Sequence, residues 1–158
     1  MGSTRWAIAL AAGVTTAGIS IGIAWAGGPG GTVDDSPGPP GSYGGLFSAV
    51  GSGTFEDFAD GVGRYNVEVG YNAYGNTAAE AEAGVVGQCQ ADGGQSCSAD
   101  MVTNDNLCIV SLADDATDIN AGGAGPTVEA ARQDAIARAA ANGTPVSPAA
   151  VVLISDCP

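Results

Sequence analysis

The sequence predicts an α+β domain: two ββαβ-like halves forming a mainly antiparallel sheet with two helices on one face, held by two disulfides. Three observations carry this expectation. The helix start Gly75-Asn76-Thr77-Ala78-Ala79-Glu80 returns fifty positions later as Gly125-Pro126-Thr127-Val128-Glu129-Ala130. A strand with strict period-2 alternation runs into the first of these starts. Four cysteines (Cys89, Cys97, Cys108 and Cys157) all lie in this later part of the chain.

Taken in order, residues 1–26 read as a cleaved export signal. Arg5 supplies the positive region, Trp6 to Ile23 carries no charge, and Ala24-Trp25-Ala26 has the small-x-small form that signal peptidase accepts. Cleavage is expected after Ala26. Residues 27–42 are Gly/Pro-rich, with Asp34-Asp35 and Pro39-Pro40, and read as a flexible linker. The remainder, 43–158, is expected to be a single disulfide-stabilised domain, secreted or held in the cell envelope.

Tyr43 to Val50 reads as a Gly-rich strand with Leu46, Phe47 and Val50. Gly51 to Gly63 holds Phe55 and Phe58 among acids and is compatible with a one-turn helix or an ordered loop. In the clearest strand, Tyr65, Val67, Val69, Tyr71 and Ala73 alternate with Arg64, Asn66, Glu68, Gly70 and Asn72, which predicts one wet face. The first helix begins at a capping box: the Thr77 hydroxyl caps an amide near Glu80, and the Glu80 carboxylate reaches back to the Thr77 amide. It places Ala78, Ala81, Val85 and Cys89 on one stripe. Ser96 to Thr103 is the next strand, Asn104-Asp105-Asn106 a hairpin turn, and Leu107 to Ala113 the strand after it. A weak strand around Thr117–Ala121 precedes the second helix, Val128 to Ala141, whose stripe is Val128, Ala131, Ala135 and Ala139. Asp134 and Arg138 form an i,i+4 pair expected on its wet side. Asn142-Gly143 stops that helix, and Ala150 to Ser155 reads as a buried strand.

An even cysteine count behind an export signal predicts disulfides. Of the three connectivities, the expected one is Cys89–Cys97 with Cys108–Cys157. The first closes a helix end onto the next strand, and the second ties the middle of the domain to its C-terminus for ~4 kcal/mol. Zinc is disfavoured, because the chain has no His and no Cys-x-x-Cys.

Several of these elements resemble the secreted bacterial domain of unknown function 4189. They are Tyr43-Gly44-Gly45-Leu46, Tyr71-Asn72-Ala73-Tyr74-Gly75-Asn76-Thr77, Ala79-Glu80-Ala81-Glu82-Ala83 with Cys89, and the Cys97…Cys108 bracket. The resemblance spans about Tyr43 to Cys157. It departs where such domains are rich in Trp, since both Trp here (Trp6 and Trp25) fall in the export signal. It implies an exported α+β domain and carries no reaction.

Charge narrows the partners. Without the export signal, Arg64, Arg132 and Arg138 stand against seventeen acidic residues. Such a chain is repelled by nucleic-acid phosphates and by anionic lipid surfaces, so no nucleic acid and no membrane partner is expected after cleavage. No cofactor is expected either. The expected role is that of a monomeric, non-enzymatic module binding a protein or glycan. Without His there is no Ser-His-Asp or Cys-His machinery, and paired cysteines offer no thiolate. The alternative is a carboxylate-based or calcium-assisted hydrolase. Glu68, mid-strand with Arg64 on the same side, is the most suggestive acid. Asp118, Asn120 and Glu129 fall at positions 1, 3 and 12 of an EF-hand-like spacing with Gly123 at position 6. Gly122 at position 5 brings no side-chain oxygen, however, and no helix enters the loop. Asp114 and Asp115 beside Asp118 offer looser cation ligands. Asn142-Gly143-Thr144 matches a glycosylation sequon, but as a helix stop it needs no further role.

Overall fold

The computed structural model describes residues 43–57 and 64–158. The expected export signal, the linker and Phe58 lie outside the described residues. A short 3-10 turn, Tyr43–Gly45, opens the order β1 (Phe47–Asp57), β2 (Arg64–Gly75), α1 (Ala78–Ala91), β3 (Gln95–Thr103), β4 (Cys108–Asp114), β5 (Ile119–Gly125), α2 (Val128–Ala141) and β6 (Val151–Asp156). The α+β class, the antiparallel pairing and both disulfides, Cys89–Cys97 and Cys108–Cys157, are those the sequence predicts.

Two points of architecture differ from the expectation. The strands form two three-stranded sheets, β2-β1-β3 and β5-β4-β6, in place of one. The helices cover opposite outer faces: α1 packs on Phe47, Ala49, Ala73 and Val102 of the first sheet, and α2 on Val110, Leu112 and Ala121 of the second. Between the sheets, Val50 and Met101 meet Ile109 and Ala124. The chain is thus layered helix, sheet, sheet, helix.

Residues 104–106 are the reason one sheet becomes two. They carry the chain from β3 to β4, which are partners in no ladder, so they form a crossover and not a hairpin turn. Every residue of β4 is buried, because α2 lies on one side of it and the first sheet on the other. The segment 51–57, compatible from sequence with a helical turn or loop, continues β1 in its pairing with β2, with one slip between Phe55 and Asp57. The face of β2 expected to be wet turns toward the second sheet: a Cβ at Gly70 would come within 2.7 Å of the Ile154 side chain.

The duplication is visible at every level. Each half has order ββαβ, and its first strand lies central in its sheet. Thr77 and Thr127 cap the helices, their hydroxyls accepting from the Glu80 amide at 3.2 Å and the Ala130 amide at 3.1 Å. The Glu80 carboxylate reaches one residue further back than the capping box predicts, to the Asn76 amide at 2.8 Å. Gly75 and Gly125 let the two helix starts approach: a Cβ would stand 2.5 Å from the Ala81 nitrogen in one half and 2.6 Å from the Ala131 nitrogen in the other. One ladder irregularity is shared as well. The β1–β3 ladder slips between Val50 and Gly51, leaving Asp100 as the extra residue; the β4–β6 ladder slips at the equivalent place and leaves Leu153.

The Asp134–Arg138 pair forms at 2.6 Å but is not on a wet side, with side chains only 8% and 14% exposed. Asp134 also accepts from the Ala124 amide at 2.9 Å, so it joins α2 to β5. Arg132 donates to the carbonyls of Pro148 and Ala150 and holds the approach to β6 against α2.

Candidate functional site

The bulge that aims Asp100 out of β3 also places it at the seam between the sheets. There its carboxylate accepts three hydroxyl protons. Ser52 in β1 donates at 2.8 Å, Ser98 in β3 at 2.7 Å, and Ser111 in β4 at 2.6 Å. The Asn120 amide of β5 donates to the Ser52 hydroxyl at 2.7 Å, which extends the chain Asn120, Ser52, Asp100 across the seam. Ser52 and Ser111 are fully buried. A buried carboxylate is costly unless its lone pairs are used, and the three hydroxyls supply this compensation. Burial pushes the Asp100 carboxyl above its ordinary range, and the serine bonds pull part of the way back.

Glu68 sits beside this group. It is half-buried and not on a solvated strand face. Burial raises its carboxyl first; the charges of Asp115, Asp118 and Asp100 raise it further, and a hydrogen bond with Asn120 works against them. Glu68 Oε2 and Asn120 Oδ1 are both buried without a hydrogen-bond partner.

A cavity of about 310 Å³ opens beside Asp100, between the edge strands β3 and β5 and the C-terminal end of α2. Ser98, Asp100, Asn120, Arg138, Asn142 and Thr144 supply its polar wall, and Ala121 and Ala139 its apolar floor. Close approach makes the seam narrow: a Cβ at Gly122 would stand 1.9 Å from the Asp100 carbonyl oxygen. A second hollow, of about 350 Å³ and more apolar, lies at the chain's C-terminal end against Tyr43, Leu46, Tyr74 and Pro158. The Tyr43 hydroxyl there lies 2.6 Å from the Leu107 carbonyl and 3.1 Å from that of Asp156.

The chain matches no known protein family, no curated protein and no solved structure. The resemblance to the secreted domain of unknown function therefore rests on its sequence motifs alone.

Of the residues singled out from sequence, Glu68 and Asn120 come together at the seam. The EF-hand set does not. Positions 119–125 are an extended strand, so Asp118 and Glu129 stand at its opposite ends. Glu129 accepts from the Gln133 amide at 2.8 Å as a first-turn acid of α2. Asp118, with φ of 56°, closes a turn through its own amide onto the Asp114 carbonyl. Asp114 faces inward, accepting from the Ser147 amide at 2.7 Å and the Thr117 hydroxyl at 2.9 Å. Among the described residues, no three His, Cys, Asp or Glu side chains are grouped to hold a metal ion. All four cysteines are consumed in the two disulfides.

Sequence reasoning missed Asp100 and its three serines. The one signal was a lone acid in the otherwise small and apolar stretch Ser96 to Thr103.

Proposed function

We propose that this chain is an exported, non-enzymatic binding module, and that the polar cavity between β3, β5 and α2 receives part of a protein or glycan partner. The observation that carries this reading is the one-sidedness of the cavity. Two halves with matching topology and caps differ where a polar hollow opens at the end of α2, against β3 and β5. A hollow with an apolar floor and a few convergent polar groups is the default place for a ligand.

The hydroxyl groups around Asp100 argue against acyl transfer. Ser52, Ser98 and Ser111 all direct their protons to one carboxylate, and the sequence has no His to act as base. Export is supported by the two disulfides, which persist in oxidising compartments. Among the described residues no helix is long and apolar enough to cross a membrane. The test is capture of partners from the envelope fraction by the domain 43–158 and by its Asn142→Ala, Thr144→Ala variant. A partner retained by the first and lost by the second supports the reading; equal capture by both removes the cavity from it.

A second reading, a carboxylate-based hydrolase, is favoured by one observation: Glu68 and Asp100 both have raised carboxyls at the same seam. Release of chromophore from aryl glycosides, abolished by Glu68→Gln and by Asp100→Asn separately, would establish it. No release by the parent domain would remove it.

A further inference from the structure

The internal duplication shows what the cavity is shaped for. At the spacing of fifty that relates the helix starts, Ala121 corresponds to Tyr71, Ala139 to Cys89, and Asn142 to Asp92. In the first half this space is filled. The Tyr71 ring packs on the α1 side of its sheet, 6.4 Å from the Phe55 ring, and its hydroxyl donates to Asp92 at the end of α1 at 3.1 Å. Cys89 closes the same helix end through its disulfide to Cys97. In the second half both positions are alanine, and Ala121, Ala139 and Asn142 line the cavity. The space that opens there thus corresponds to one six-membered ring carrying a hydroxyl directed at the helix end.

The walls choose between ring chemistries. In β6, the bulge residue and its two predecessors are Val151, Val152 and Leu153; their equivalents in β3 are Ser98, Ala99 and Asp100. A phenyl ring would leave the polar groups of Ser98, Asp100, Asn142 and Thr144 facing carbon. A polyanion would meet Asp100 and the negative charge of the whole chain, and the cation in the wall, Arg138, is already held by Asp134. A neutral ring bearing several hydroxyls can donate to the carboxylate and exchange hydrogen bonds with the amide and hydroxyl groups.

Resting on the binding reading above, we infer that this cavity is a subsite for a single neutral pyranose unit, seated where the first half carries the Tyr71 ring, with a ring hydroxyl on Asn142. The duplication also supplies the blocking variant. Ala121→Tyr places in the second half the side chain that the first half already accommodates.

The experiment is a titration of the ¹⁵N-labelled domain 43–158 with methyl α-glucoside, methyl α-mannoside, methyl α-galactoside and N-acetylglucosamine. Phenol and glycine are the comparison probes. The expected result is a saturable shift of the Ser98, Asn142 and Thr144 signals with at least one sugar at millimolar concentration, weakened tenfold or more in Ala121→Tyr. Asn142→Ala gives the same readout should the tyrosine variant not fold. The inference is overturned if no sugar moves these signals, or if the folded Ala121→Tyr domain binds like the parent. Shifts from phenol or glycine alone would leave a binding cavity of another class. If neither the probes nor envelope extract moves these signals, the binding reading falls with it.

Discussion

The Ser111 hydroxyl in β4 donates to Asp100 Oδ2 in β3 at 2.6 Å, a hydrogen bond from one sheet to the other between two residues that share no ladder. Its acceptor is a carboxyl oxygen and its donor is fully buried, where an unmade bond costs most. Ser111→Ala is expected to destabilise the domain by about 1–3 kcal/mol. The urea midpoint should fall with an unchanged slope. A midpoint equal to that of the parent would mean that Asp100 is satisfied without the second sheet.

Acid should act on this protein in two opposed stages. Glu68 and Asp100 have native carboxyls raised by burial, so between their native and unfolded values the folded chain binds more protons than the unfolded one. Stability should therefore rise as pH falls through that window. Asp114 has the opposite sign. Hydrogen bonds, that from the Ser147 amide foremost, hold its carboxyl below the ordinary range, and its contribution is lost as pH falls through that depressed value. Melting temperature followed from pH 7 downward should first climb and then drop. Glu68→Gln should flatten the climb, and Asp114→Asn the drop. A monotonic fall in all three proteins would contradict the assignment.

Two glycines give opposite expectations for the same change. Gly122→Ala drives a methyl group into the Asp100 carbonyl, 1.9 Å from an ideal Cβ, and should cost at least ~2 kcal/mol by forcing the sheets apart. Gly87 lies in α1 with nothing within 4 Å of an added Cβ, so Gly87→Ala should stabilise by up to ~1 kcal/mol through helix propensity. Thermal melts of the two variants should move to either side of the parent.

Local chemistry was legible in the sequence wherever one element decided it. Thr77 and Thr127 mark helix starts by themselves, α2 keeps its expected bounds, and the Cys89–Cys97 link follows from a helix end meeting the next strand. The layering was not legible, because alternation in β2 reports two different faces without naming what covers them. Glu68 and Gly70 look solvated by residue type, yet they meet the second sheet through a polar cluster and a close backbone approach. Likewise Asn104-Asp105-Asn106 has the composition of a hairpin turn. Only the burial of β4 on both sides makes it a crossover. The seam at Asp100 depends on a bulge and on serines from three strands, and two of them, Ser52 and Ser111, lie far from it in the sequence.

Calcium is expected to leave the melting temperature unchanged at millimolar concentration. Asp118 and Glu129 are the outer ligands of the EF-hand-like spacing, and the extended strand β5 between them spans about 20 Å at ~3.3 Å per residue. A single cation at 2.3–2.6 Å from each ligand cannot bridge that span. A saturable upward shift, abolished by Asp118→Asn and Glu129→Gln, would show that the strand rearranges around the ion.

The two disulfides should differ in what they contribute. Cys108–Cys157 closes a separation of 49 residues and Cys89–Cys97 one of 8. If each acts by restricting the unfolded chain, they are worth roughly 4 and 2.5 kcal/mol respectively. The long link also joins the first residue of β4 to the residue after β6, which face each other at one end of that antiparallel pair. The short link staples the C-terminal end of α1, where the equivalent of Cys89 in α2 is Ala139. Cys108→Ala, Cys157→Ala should thus lower the global unfolding free energy more than Cys89→Ala, Cys97→Ala. Amide exchange should locate the second effect: loss of the short link should speed exchange at the end of α1 toward the rate at the end of α2. Equal losses of global stability would contradict the loop-length ranking, and unchanged exchange in α1 would mean that packing and not the covalent link holds that helix end.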